Sequence, residues 1–106
     1  VQWTGEMGRL PVLQNDAGRE KWGRDHNTYG FSMWVAGGGF KRGYVHGETD
    51  EWSHKAVIDE VRHFDWHATL LHAFGLDHNK LSYTRNGLAA SLTDNQGAKV
   101  VSELFA

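Results

Sequence analysis

The residues of this sequence best suited to chemistry lie in a short charged loop ahead of an apolar run. Arg24, Asp25 and His26 follow one another within GRDHN, residues 23–27. A carboxylate beside an imidazole offers oxygen and nitrogen ligands from one loop, which suits zinc or a harder divalent cation. The same segment also suits an ordinary turn, because Asp25 and Asn27 are good turn formers and His26 could simply cap a neighbouring group. Spacing alone leaves both interpretations open.

Glu6 is the second candidate ligand. It stands between glycines in GEMG, residues 5–8, directly after Val1 to Thr4, whose pattern indicates the end of a strand. In open α/β sheets, ligands bind beyond the carboxyl ends of strands, so a carboxylate here is placed for metal binding or acid–base work. Taken by itself, one glutamate on a turn is better explained as a solvated surface group.

Three further histidines, His63, His67 and His72, do not predict a zinc-binding helix. We expect Asp65 to be the N-cap, which places His63 outside the helix. His67 and His72 are five residues apart, about 140° round a helix, so they do not share a face. The sequence also contains no Gly-x-Ser-x-Gly nucleophile motif and no Walker-type phosphate loop. No nucleophile is evident.

An apolar strand is expected to hold the charged loop in place. Phe31 to Ala36 carries no charge and is rich in aromatic residues, which is typical of a strand buried on both faces. Gly37 to Gly39 then allow backbone conformations that other residues rarely adopt, at the point where the strand ends. We expect residues 10–22 to form a surface loop and Tyr44 to Gly47 a short strand. Residues 48–51, which are mostly acidic, suit a solvated turn. The side chains of residues 56–63 would fall alternately on two faces, which loosely fits an extended segment.

The second half of the chain contains the clearest local signals. Asp65 to Phe74 has helical spacing, and Gly75 is a natural residue to follow the helix. Asn86-Gly87 predicts a two-residue hairpin between Leu81–Thr84 and Leu88–Leu92. Ala98 to Phe105 resembles a short amphipathic helix. The order of strands and helices favours an α/β layer with an antiparallel hairpin appendage.

Size and composition exclude several classes of protein. The chain has 106 residues, a formal charge of −2, 40% hydrophobic residues and no cysteine. It is therefore one domain at most, with no disulfide framework and no basic excess for nucleic acid. No apolar run is long enough to span a membrane. The chain opens as though within a strand, so we expect residues 1–106 to be a partial domain whose exposed sheet edge favours a homo-oligomer.

The motifs WTGEMGR, GRDHNTYGFSMWVAGGG, FDWHATLLHAFGLDH and LSYTRNGLAASLTD together resemble one bacterial family along essentially the whole chain. This is an uncharacterised, sulfatase-like family of exported proteins within the alkaline phosphatase-like superfamily. The resemblance covers only the family's C-terminal portion. It implies the C-terminal part of an α/β/α sandwich, and a periplasmic or exported location.

The resemblance also implies roles for individual residues. Superfamily members have a strand ending in Thr-x-Asp-His, whose Asp and His bind metal, and residues 4–7 occupy that place. Glu6 can substitute for the Asp, whereas Met7 cannot replace the His. A further metal-binding histidine precedes the next buried strand, where His26 falls. The superfamily's Asp-x-x-Pro-Thr-Leu-Leu packing helix corresponds to Asp65–Leu71, without the proline.

These correspondences imply the C-terminal fragment of a metal-dependent sulfate or phosphate ester hydrolase. Glu6 and His26 would hold zinc, calcium or manganese, and Asp25 would orient His26 or act as an alternate ligand. Arg24 could face the anionic ester, although a solvated charge explains it more simply. The nucleophile would lie outside this chain, so the fragment alone should be inactive. Two alternatives are a non-catalytic binding or structural module, which Met7 favours, and a freestanding small oligomeric domain.

Overall fold

The computed structural model of the protein describes residues 1–14 and 18–106. Residues 15–17, part of the predicted 10–22 loop, lie outside the described residues. The chain divides into two compact units, one of Val1–Ala36 with Val45–Glu60 and one of Gly37–Tyr44 with Val61–Ala106. Both helix and strand are present, so the fold is mixed α and β. Among the described residues, no helix has the length and apolar character needed to cross a bilayer.

Six strands of the first unit form three antiparallel pairs. The strands are β1 (Gln2–Trp3), β2 (Gly8–Gln14), β3 (Gly23–Asn27), β4 (Trp34–Val35), β5 (Glu48–Thr49) and β6 (Ala56–Ile58). The pairs are β1 with β4, β2 with β3, and β5 with β6. A register irregularity interrupts the β2–β3 pair between Arg9 and Leu13.

Several predictions for this unit were wrong. The 23–27 segment is a strand rather than a loop, and residues 10–14 of the predicted loop belong to its partner β2. Arg19–Lys21 forms one turn of 3-10 helix. Tyr44 to Gly47 is not a strand, whereas Glu48 and Thr49 of the expected turn are β5. The extended segment predicted over residues 56–63 is confirmed only at β6.

The predicted strand Phe31 to Ala36 is shorter and far more exposed than expected. Only Trp34 and Val35 are in a strand, and the Trp34 side chain is 58% exposed. Among the described residues, this two-residue strand pairs only with the equally short β1, in a sheet of two strands. The triple glycine behaves as predicted, because Gly37, Gly38 and Gly39 all have positive φ.

The second unit is organised by helix α1 (His63–Ala73) and a hairpin of β7 (Ser82–Arg85) and β8 (Leu88–Ser91). The hairpin prediction is confirmed: Asn86 and Gly87 have φ of 51° and 78°, as a type I′ turn requires. The predicted terminal helix is wrong, because only Ser102–Leu104 forms a 3-10 turn.

Aromatic stacking holds the apolar core of this unit. The Phe40 ring stacks on the rings of Trp66 and Phe105, with centroids 5.9 and 4.9 Å apart. Trp66 and Ala68 are buried on the same helix. The backbone nitrogen of Lys41 donates to the carbonyl of Leu104 at 2.8 Å, so the 3-10 turn adds a main-chain link to this core.

Helix α1 begins two residues earlier than predicted. Arg62, not Asp65, is the N-cap, and Asp65 is the third residue of the helix. The Asp65 carboxylate accepts hydrogen bonds from the Arg62 side chain and from the backbone nitrogen of Lys99, both at 2.8 Å. The Thr69 hydroxyl donates to the Asp65 carbonyl and accepts from the nitrogen of Val101 at 3.0 Å. These two buried polar residues therefore attach the C-terminal segment to the helix. The helix ends at Ala73 with Phe74 as its C-cap, and Gly75 follows it as predicted, with φ of 76°.

Candidate metal site

Glu6 and His26, predicted as ligands from distant parts of the sequence, lie next to each other. The distance between Glu6 Oε1 and His26 Nε2 is 3.9 Å. The pairing of β2 with β3 explains the approach: Gly8 is opposite Asn27 and Arg9 is opposite His26. Because the strands are antiparallel, the turn that precedes β2 lies beside the end of β3, which brings Glu6 to His26.

The Glu6 and His26 donor atoms lie about 1 Å farther apart than ligation of one divalent cation requires. A metal bound to both atoms at about 2.0–2.2 Å needs the two donor atoms to be roughly 3 Å apart. The Glu6 and His26 side chains are 70% and 54% exposed, so small rotations about their side-chain bonds are open to them. One carboxylate oxygen and one imidazole nitrogen suit zinc or manganese better than calcium, which prefers oxygen ligands.

Asp25 occupies a different position from these two residues. Its Oδ1 accepts a hydrogen bond from the backbone nitrogen of His26 at 2.7 Å. Successive residues of a strand point to opposite faces, which directs Asp25 away from the face of His26. Among the described residues, no group of three or more His, Cys, Asp or Glu side chains is placed to hold a metal ion. The structure thus brings together two of the three predicted ligands.

Arg24 lies on β3 two residues before His26, opposite Leu13 of β2. The alternation of a strand directs Arg24 and His26 to the same face, and the Arg24 side chain is exposed. A guanidinium in this position adds positive charge to the face that carries His26. That charge suits an anionic group bound near the histidine.

Asn27 is the positioning residue that the sequence analysis missed. Its side chain is only 1% exposed, and its Nδ2 donates to the carbonyls of His54 at 2.9 Å and Gly30 at 3.2 Å. Its Oδ1 accepts from the nitrogen of Tyr29 at 3.0 Å. Because a buried amide is costly unless it is hydrogen-bonded, these contacts hold the end of β3 against the 53–54 turn. In the sequence Asn27 resembles any turn-forming asparagine, so no local signal identifies this role.

The backbone at Gly30, close to Asn27 in the sequence, packs tightly against the backbone at Ala56. A Cβ on Gly30 would lie 2.6 Å from the backbone nitrogen of Ala56, so only glycine fits there. The nitrogen of Ala56 donates to the carbonyl of Tyr29 at 3.0 Å, joining this segment to β6. The glycine at position 30 is the nearest sequence signal of the tight packing around Asn27.

Asp50 shapes the turn that receives the Asn27 amide. Its carboxylate accepts from the backbone nitrogens of His54 at 2.7 Å and Lys55 at 3.2 Å. The hydrogen bond from His54 is the main reason that the pKa of Asp50 lies below its usual value; burial opposes it, and the bond from Lys55 adds to it. Asp50 therefore remains a carboxylate at neutral pH and keeps the His54 carbonyl in place for Asn27.

Comparison with known proteins gives one family match. The model of the family described as "Protein of unknown function (DUF1501)" matches residues 1–105. Neither a curated protein nor a solved structure shows significant similarity to the chain.

Proposed function

The chain belongs to the DUF1501 family of proteins of unknown function, and we propose that it is the C-terminal part of a metal-dependent sulfate or phosphate ester hydrolase. In this proposal the fold belongs to an alkaline phosphatase-like α/β/α sandwich, and the protein is exported or periplasmic. The resemblance of the GRDHN and WTGEMGR motifs to sulfatase-like proteins supports both statements.

The observation that carries the proposal is the approach of Glu6 to His26. Two side chains separated by twenty positions in the sequence bring a carboxylate oxygen and an imidazole nitrogen to 3.9 Å. The β2–β3 pairing sets their proximity and leaves both side chains exposed, so that a cation can reach them. A divalent cation bound there would polarise an ester oxygen and stabilise the negative charge that develops on it.

The residues around this pair have supporting roles. Asp25 fixes the backbone of His26 through its hydrogen bond to the His26 nitrogen. Arg24, on the face of His26, would attract the sulfate or phosphate group by charge. Asn27 would keep β3 in place while the substrate binds. The nucleophile and the remaining ligands would come from outside residues 1–106.

A second candidate function is a non-catalytic binding or structural module with the same fold. Two observations favour it. By the resemblance, Met7 would stand where the superfamily has a ligand histidine, and the described part of the chain holds no group of three or more potential metal ligands. A site of two protein ligands can still bind a cation weakly without supporting turnover.

Isothermal titration calorimetry with manganese, zinc and calcium tests the first candidate. We expect manganese to bind the protein with one-to-one stoichiometry, and the variants His26→Ala and Glu6→Gln to lose this binding. Glu20→Gln is the matched control, because Glu20 is also an exposed glutamate of the first unit but lies on the Arg19–Lys21 turn. Retention of manganese binding by both His26→Ala and Glu6→Gln would contradict the assignment of the site. Binding without hydrolysis of sulfate or phosphate esters, in a protein that joins this chain to the proposed nucleophile, would favour the second candidate.

A further inference from the structure

His63 and His67 form a second pair of potential ligands, on helix α1 of the other unit. The helix begins at His63, so the two histidines are four residues apart on one face. Their ring centroids are 6.4 Å apart and the ring planes are nearly perpendicular, at 84°. The sequence does not predict this pair, because Asp65 looks like an N-cap and would leave His63 outside the helix. The earlier helix start restores it.

From this geometry we propose that His63 and His67 bind a divalent transition-metal ion, with Cu²⁺ preferred over Ni²⁺ and Zn²⁺. Histidines at positions i and i+4 of a helix supply two ligands from one rigid element, as in helical zinc motifs. Imidazole suits copper, nickel and zinc, and copper binds most tightly in the usual order of divalent affinities. Water or a group from a partner completes the coordination.

The present separation of the rings is close to what such a site requires. With metal–nitrogen bonds of about 2.0–2.1 Å, two coordinated imidazole rings have centroids roughly 5 Å apart. Both side chains are exposed, so rotation about their side-chain bonds can close the remaining gap without moving the helix. The helix fixes the Cβ positions, which lowers the entropic cost of bringing two ligands together.

Two positive charges act against a bound cation here: the partial positive charge of the helix N-terminus and the side chain of Arg62, which precedes His63. Its guanidinium lies against the Asp65 carboxylate, with an Nε–Oδ2 distance of 2.8 Å, and its positive charge is therefore offset. The Arg62 guanidinium also lies over the Phe64 ring, 4.3 Å from the centroid. These contacts hold the guanidinium at Asp65 and Phe64.

Copper titration of the protein and of single-histidine variants tests this inference. Removing only the hydrogen-bond partner of a metal ligand costs about 10–100-fold in metal affinity. Removing the ligand itself should cost no less. His63→Ala and His67→Ala should therefore each weaken copper binding by at least about tenfold. Electron paramagnetic resonance should show two nitrogen ligands in the protein and one in each variant. His72→Ala is the matched control, since His72 is an exposed histidine of the same helix, about 140° from His67.

The variants separate this site from the one at Glu6 and His26. His26→Ala should leave the two-nitrogen copper signal unchanged, whatever becomes of manganese binding. Unchanged copper affinity in both His63→Ala and His67→Ala would overturn the inference, as would loss of the signal in His26→Ala alone. Circular dichroism of each variant should show that α1 is retained, which separates weakened binding from loss of the helix.

Discussion

At the scale of single residues, Asn27 determines how the candidate site is held. It is buried, its amide nitrogen lies within hydrogen-bond distance of the backbone carbonyls of Gly30, Ser53 and His54, and it directly follows His26. Glu6 and His26 have side chains that could bind a cation, but both side chains are largely exposed. Packing therefore does little to fix their positions. The position of the site therefore depends on a residue that takes no part in ligation.

We expect Asn27→Ala to destabilise the protein and to weaken metal binding at Glu6 and His26. The substitution leaves the carbonyls of Gly30 and His54 without their amide donor, which costs about 1–3 kcal/mol of unfolding free energy. Urea denaturation measures the loss, with Asn79→Ala, an exposed loop asparagine, as control. A change in Asn27→Ala no larger than that of the control would contradict the role assigned to this residue.

The assignment of Glu6 and His26 as metal ligands stays a prediction, and what the structure adds is their proximity. Residue chemistry and family resemblance together selected Glu6 and His26, and the structure brings these two together. The register of β2 against β3 was not predictable, because Gly23 to Asn27 is polar and has no strand pattern of its own. Its extended form comes from pairing with a segment about fifteen residues earlier in the sequence. Pairing of that kind leaves no local signal.

At the scale of elements, the start of helix α1 is the most specific feature of the second unit. Burial raises the pKa of Asp65, but hydrogen bonds from the Arg62 side chain and the Lys99 nitrogen outweigh it and hold the pKa below its usual value. A negative charge in the first turn also interacts favourably with the helix dipole. The carboxylate thus stabilises the helix and the segment at Lys99 together.

We expect Asp65→Asn to lower the unfolding free energy at pH 7 by about 1.5–3 kcal/mol, the usual range for hydrogen bonds to a charged group. The pKa of Asp65 is lower in the folded state than in the unfolded state, where it is about 3.9. Its contribution is therefore complete above the unfolded-state pKa and is lost as the pH falls through the folded-state pKa. Denaturation at several pH values should show the difference between the protein and Asp65→Asn shrinking in acid.

The control for this prediction is Asp94→Asn. Asp94 has φ of 55°, which asparagine tolerates equally well, and its side chain is exposed. Its replacement should change stability little at any pH. A gap between the protein and Asp65→Asn that stays constant from pH 7 to pH 3 would show that the carboxylate charge is not what matters.

The elements differ in how far the sequence determines them. The β7–β8 hairpin and the end of α1 follow from Asn86-Gly87 and Gly75, whose backbone preferences are local. The helix start was misplaced because an aspartate at the third helical position looks like an N-cap in sequence. Apolar character at residues 31–36 predicted burial, but whether an apolar strand is covered depends on what else packs there, which composition does not reveal.

At the scale of the whole molecule, the exposed aromatic surface of the β1–β4 pair is prominent. Trp3 and Trp34 lie directly opposite each other in the pair and are 74% and 58% exposed. Among the described residues, their sheet contains these two strands alone. Short apolar strands of this kind favour pairing with another chain.

We therefore expect the protein to self-associate as its concentration rises, and the double variant Trp3→Thr/Trp34→Thr to remain monomeric. Sedimentation velocity over a range of concentrations measures this. Trp52→Thr is the control, because Trp52 is 69% exposed but lies in the turn between β5 and β6, outside the β1–β4 pair. Equal association of the double variant and the control would locate the contact elsewhere.

The central claim, that Glu6 and His26 bind a divalent cation, is tested most directly by adding manganese during nuclear magnetic resonance of the ¹⁵N-labelled protein. The paramagnetic ion broadens the signals of nearby amides. We predict that the first signals lost at substoichiometric manganese are those of residues 5–8 and 24–27, and that His26→Ala prevents this loss. Broadening centred elsewhere, or identical broadening in His26→Ala, would contradict the claim.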